Sequence, residues 1–179
     1  VVFALLLFGL WRHRQVAPPE TPLAAETDEV AADQQETSRL LIEGHAMESG
    51  IPAGRATPDL VDKLQHIVDR QIEELSRRTG EGLAEAIRLD RTFHEIMVGI
   101  GENRLLANWH RIVLLQTQTL RNYSLSRYAL DRVRQEHGAI VEAIRSQDLD
   151  RTLEALRSHL MASCEEFVSR PPEDMPVRL

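Results

Sequence analysis

The stretch LDRTFHEIM, residues 89–97, sets Asp90 and His94 four apart in a segment that otherwise reads as an amphipathic helix, with Leu83, Ile87 and Met97 on the same side. Residues four apart are neighbours on a helix, so a carboxylate oxygen and an imidazole nitrogen can converge on one point. Burying a polar group without a partner costs roughly 2–7 kcal/mol, and burying a charge costs more. A helix that aims both side chains at its apolar face therefore predicts something that neutralises them.

Outward from this segment the helical period continues in both directions. Strand-like alternation and β-branched runs are missing, and aromatic residues make up only 4% of the chain. The expected fold is all-α, an antiparallel bundle of six or seven helices with a central metal site, because short connections favour antiparallel neighbours. A first helix runs to about Glu48 and stops at SGIPAG, residues 49–54. Thr57, Pro58 and Asp59 announce the second: an N-cap hydroxyl, a first-turn proline and an early acid facing the helix dipole. That helix carries Leu60, Leu64, Ile67, Val68 and Leu75 and fades between Arg78 and Gly80. The third spans about Glu81 to Gly99, Asn103 caps a fourth, and Ser124 or Ser126 starts a fifth that ends near Ser146. Asp148 caps a sixth, and Pro171 and Pro172 end the order.

Size and charge bound the possibilities. A chain of 179 residues with 42% hydrophobic content suits one domain with some tail left over. The net charge of -7 and the single lysine, Lys63, argue against a chain that grips nucleic acid by its own basic field. Cys164 is the only cysteine, which excludes a disulfide framework or a cysteine zinc cluster and suits a reducing cytoplasm; it is expected to pack as a small apolar residue. The apolar run VVFALLLFGLW, residues 1–11, falls short of the roughly 20 residues that cross a bilayer. Its basic residues follow rather than precede it, unlike a secretory signal, so no membrane partner is expected. The Pro-, Ala- and acid-rich segment after it reads as a linker. The expected organisation is an apolar stretch and linker over residues 1–28, a helical domain over 29–169 and a tail over 170–179.

Two further histidines fall on apolar faces. His137 lies in the stripe of Leu130, Val133, Ile140, Val141 and Ile144, and His159 lies beside Leu156 and Ser163 in the stripe that also holds Leu149, Leu153 and Leu160. A lone histidine so placed is ordinarily a hydrogen-bonded core residue. Asp90, His94, His137 and His159 together are a metal-site pattern, contributed by three helices. Three imidazoles and a carboxylate suit a divalent transition metal, Zn, Ni, Mn or Fe, and ligand type alone does not choose among them. Water or a small carboxylate can take positions such an ion leaves open. His13, His45, His66 and His110 are read as ordinary tail or helix positions, His110 having no matching partner. Glu136 reads as a solvated helix residue, with support of a ligand imidazole as the alternative.

At these residues the sequence resembles the FCD domain, the ligand-sensing C-terminal domain of FadR-type GntR transcriptional regulators. The resemblance rests on DRTFH at 90–94, GENRLL at 101–106 and EHGAIVEAIRSQDLDRTLEALRSHL at 136–160. Upstream, SRLLIEGHAMESGIPAGRATPDLV at 38–61 is similar to the family's first helix and turn, with an R-x-x-x-E element at Arg39 and Glu43. The resemblance covers about residues 29–169.

The resemblance implies a helical bundle that binds a divalent metal through Asp90, His94, His137 and His159, with an organic acid effector on or near it. Arg39 and Asn103 match an arginine and an asparagine near the effector; an ion pair with Glu43 and helix capping are the competing roles. It also implies a homodimer and a cytoplasmic, non-enzymatic sensor. DNA would be bound only through a winged helix-turn-helix, which residues 1–36 are too few and of the wrong composition to build. The chain is thus expected to be either a fragment of a regulator or a free-standing sensor domain. A different class of function stays open, a metal-dependent hydrolase or oxygenase-like enzyme in which the same site activates water.

Overall fold

The computed structural model describes residues 22–121 and 130–168. Among the described residues there are six helices and no strand: α1 (Pro22–Gly50), α2 (Pro58–Ser76), α3 (Gly80–Gly99), α4 (Arg104–Arg121), α5 (Leu130–Arg145) and α6 (Leu149–Val168). None of them is long and apolar enough to cross a membrane. The helix starts follow the chain's capping chemistry. Thr57 Oγ1 accepts from Leu60 N at 3.4 Å, Asn103 Oδ1 accepts from Leu105 N and Leu106 N at 3.1 Å each, and Asp148 Oδ1 accepts from Arg151 N at 3.0 Å. Thr79 performs the same task for α3, taking Gly82 N at 3.1 Å.

One boundary differs from expectation. α1 begins at Pro22, inside the stretch read as a linker, because Ala, Glu and Gln between Pro22 and Glu36 are good helix formers even without an apolar stripe. The apolar run 1–11, the expected starts at Ser124 or Ser126 and the stop at Pro171 and Pro172 lie outside the described residues, as does the side chain of Cys164.

The helices pack α2 against α3 and α5, α1 against α6, α4 and α3, and α5 against α6. Met47, Leu64, Phe93, Met97, Ile140, Ile144, Leu156 and Leu160 form one core shared by five helices, each side chain fully buried. Ile140, Val141 and Ile144 of the α5 stripe and the α6 stripe face this core, with Leu149 and Leu153 at its partly buried margin, while Val133 and Leu130 pack with Leu75 and Ala86 in a smaller second cluster. On α3 the inward face is rotated from the expected one. Ala86, Leu89 and Phe93 are buried together with Asp90, His94 and Met97, while Leu83 and Ile87 are only partly so.

The end of α1 is fastened to the end of α3. A side chain on Gly50 would run into Ile100, so only glycine lets the two chains approach there. Arg55 holds the junction, its Nε donating to Ile100 O and its Nη2 to Ser49 O, both at 2.7 Å.

Candidate metal centre

The three histidines of the sequence pattern come from three helices and meet in the core. His94 on α3, His137 on α5 and His159 on α6 are all buried. A ring nitrogen from each lies within 4.8 Å of the other two. Their centroids are 5.6 Å apart for His94 and His137, 5.2 Å for His94 and His159, and 4.8 Å for His137 and His159. Asp90, one turn before His94, is buried beside them, its Oδ1 3.4 Å from His137 Nε2. Asp90 is thus next to one ring of the cluster, whereas the mutual close approach is among the three imidazoles.

Each ring is oriented by a different acceptor from another residue. His94 Nδ1 lies 2.8 Å from Glu43 Oε2, His137 Nδ1 2.9 Å from Gln71 Oε1, and His159 Nδ1 2.7 Å from Glu136 Oε2. A carboxylate or amide oxygen only accepts, so each Nδ1 carries the proton and donates. The nitrogen left for a metal is then Nε2 in every ring. The Nε2 atoms of His94 and His137 are buried and make no hydrogen bond. Orphaned lone pairs in a core carry a desolvation cost of roughly 1–3 kcal/mol each, which a bound cation would remove. Histidine ligands of metals ordinarily have this arrangement, with the second nitrogen held by a carboxylate, amide or carbonyl. The donor set therefore fits a divalent transition metal.

The electrostatics agree. Burial pushes the His137 ring down to about 4, against the pull of neighbouring Asp90, so at neutral pH it is an uncharged donor. Burial opposes ionisation of Glu43, but Arg39, His94 and His110 outweigh it and hold this carboxyl well below the usual range. Phe93 lies flat on His137, with ring centroids 4.5 Å apart and an interplanar angle of 17°, which fixes that imidazole from its open face.

Several of these partners were not legible in advance. Gln71 occupies the rung of α2 that the apolar stripe Leu64, Ile67, Val68 and Leu75 skips; its Oε1 serves His137 while its Nε2 donates to Asp90 Oδ1 at 3.4 Å and Ala86 O at 3.3 Å. Glu136, for which support of a ligand imidazole was the alternative to a solvated face, joins His159 to Arg132, whose Nε lies 2.6 Å from Glu136 Oε1. His110, read as lacking a partner, is fully buried, and its Nε2 is 2.9 Å from Glu43 Oε1. Helical spacing alone cannot show which neighbouring helix supplies the partner of Gln71 or His110. His45 and His66 are exposed as expected.

Arg39 is completely buried and pairs with Glu43 (Nε–Oε1 2.9 Å) and Glu36 (Nη1–Oε2 3.1 Å). Asn103 is exposed, and its side chain caps α4.

The helical core that carries these residues is matched by a known family. The model of the FCD domain matches residues 37–162, and the chain belongs to that family. Among solved structures, E. coli McbR/YncC shares the fold with a TM-score of 0.59 at 10% identity, over 77% of this chain. The match takes in 62% of the McbR/YncC chain, so the present chain spans only part of that protein's length. No curated protein matches the sequence.

Proposed function

We propose that this domain is the effector-binding and dimerising part of a GntR/FadR-type transcriptional regulator, sensing a small organic acid with the help of a divalent transition metal. The observation that carries the reading is the convergence of His94, His137 and His159 with each Nδ1 already engaged by its own acceptor. The rings and Asp90 would hold Zn, Ni, Mn or Fe. When bound, the ion supplies a localised positive charge on which a carboxylate can rest.

The chain's own residues supply the rest of the site. Gln71 and Glu136 keep His137 and His159 turned inward, and Phe93 closes one side of the cluster. Arg39 places a guanidinium in the same interior, two hydrogen bonds away from His94 through Glu43, which suits recognition of an acid. Asn103, the second effector residue that the resemblance implies, is held in the α4 cap, so its replacement separates the two roles: loss of effector response without loss of helix stability would favour contact with the ligand. DNA recognition would belong to a winged helix-turn-helix outside this chain, with ligand binding shifting a pre-existing equilibrium between two arrangements of the bundle.

The test is metal analysis of purified protein, followed by thermal-shift measurements with small organic acids. About one transition metal ion per chain is expected, and His137→Ala or His159→Ala should remove it. Full occupancy in both variants would reject the assignment. Turnover of an ester, amide or oxidisable acid that chelators abolish would favour an enzyme instead.

A further inference from the structure

Glu43 was singled out by the sequence only as the acid of an R-x-x-x-E element. In the fold it is a fully buried carboxylate that meets donors from three helices. Oε1 lies 2.9 Å from Arg39 Nε on α1 and 2.9 Å from His110 Nε2 on α4, and Oε2 lies 2.8 Å from His94 Nδ1 on α3. We infer that Glu43 is a positioning residue for the metal centre, fixing the His94 ring through Nδ1 and tying it to α1 and α4. This inference rests on the metal-binding reading above.

The chemistry requires a carboxylate at this place. An ionised carboxylate only accepts and has about four lone-pair sites, enough for three donors. Glutamine has the same shape but one acceptor oxygen, and its NH2 would face an N–H that already needs an acceptor. A neutral imidazole carries its proton on one nitrogen or the other. By holding the His94 proton on Nδ1, Glu43 leaves Nε2 with the lone pair that a cation needs. Without that hold the proton can move to Nε2 and block the ligand position. His137 and His159 have separate acceptors on α2 and α5, so the effect of Glu43 is confined to one ring. α4 contributes none of the three clustered histidines; His110 links that helix to the centre through the Glu43 carboxylate.

The probe is Co²⁺, whose visible spectrum reports the geometry of its ligands. Glu43→Gln is expected to weaken Co²⁺ binding roughly ten- to a hundred-fold, the usual cost of losing a ligand's outer partner, and to change the absorption bands. His110→Ala is expected to lower the thermal midpoint while leaving the Co²⁺ affinity much closer to that of the unaltered protein. In the unaltered zinc-loaded protein, long-range ¹H–¹⁵N spectra should show His94 protonated at Nδ1, with a proton that exchanges slowly. Glu43→Gln with unchanged affinity and unchanged bands would overturn the inference. If that variant does not fold, the spectra decide, and a His94 bound through Nδ1 or lacking an Nδ1 proton overturns it. If the unaltered protein takes no Co²⁺ at all, the metal-binding reading fails first, an outcome distinct from a bound ion indifferent to Glu43.

Discussion

At the scale of single residues, the interior has polar groups whose protonation is set by folding. An unfolded imidazole titrates near 6.5, and His137 in the fold titrates at about 4. Between those values the unfolded chain holds a proton that the folded chain does not, so stability falls as pH drops through this window. The full effect is on the order of 3 kcal/mol for the metal-free protein. Glu43, held by Arg39, His94 and His110 well below the ordinary carboxylate range, contributes stability that is present above that range and is lost as pH falls through its own lower titration. Urea denaturation of metal-free protein from pH 7 to pH 4 checks this, and a flat stability profile would contradict it. An apolar residue gives a contrasting case. Leu156 is fully buried in the shared core, and Leu156→Ala should cost about 2–5 kcal/mol at any pH.

At the scale of elements, the legible features were those encoded within one helix. Thr57, Asn103 and Asp148 cap the helices that they announce, since a cap needs only its own next turn. Asp148→Ala should therefore cost about 1 kcal/mol, read as a lower denaturation midpoint with unchanged metal binding. Inward histidines were equally legible, because His137 and His159 lie in apolar stripes of period 3.6. What stayed hidden lies between helices. Gln71 sits on α2 but serves a ring on α5, and Glu43 on α1 serves rings on α3 and α4. No local pattern encodes which acceptor meets which donor across a bundle. On α3 the inward face was legible in part: Asp90, His94 and Met97 are buried, whereas Leu83 and Ile87 lie at the partly buried margin beside Ala86, Leu89 and Phe93.

At the scale of the whole molecule, the all-helical architecture follows from the period and the stops, and family membership follows from the spacing of residues across the described core. The start of α1 did not follow, since the segment from Pro22 lacks the apolar stripe on which helix recognition depends. If the centre takes a metal, the ion stabilises every helix that it joins. At a free concentration one hundred times its dissociation constant it adds about 2.7 kcal/mol, so chelator should lower the melting temperature by several degrees. An unchanged melting curve after verified removal of the ion would deny it that linking role.

The order of the donors along the chain also matters while the protein is being made. His94 and His137 leave the ribosome before His159, which arrives on α6 together with Leu156 and Leu160 of the core. A nascent chain lacking α6 can neither close its interior nor gather all three nitrogens. Docking of α6 thus brings the third imidazole and two leucines of the shared core to the group in a single event.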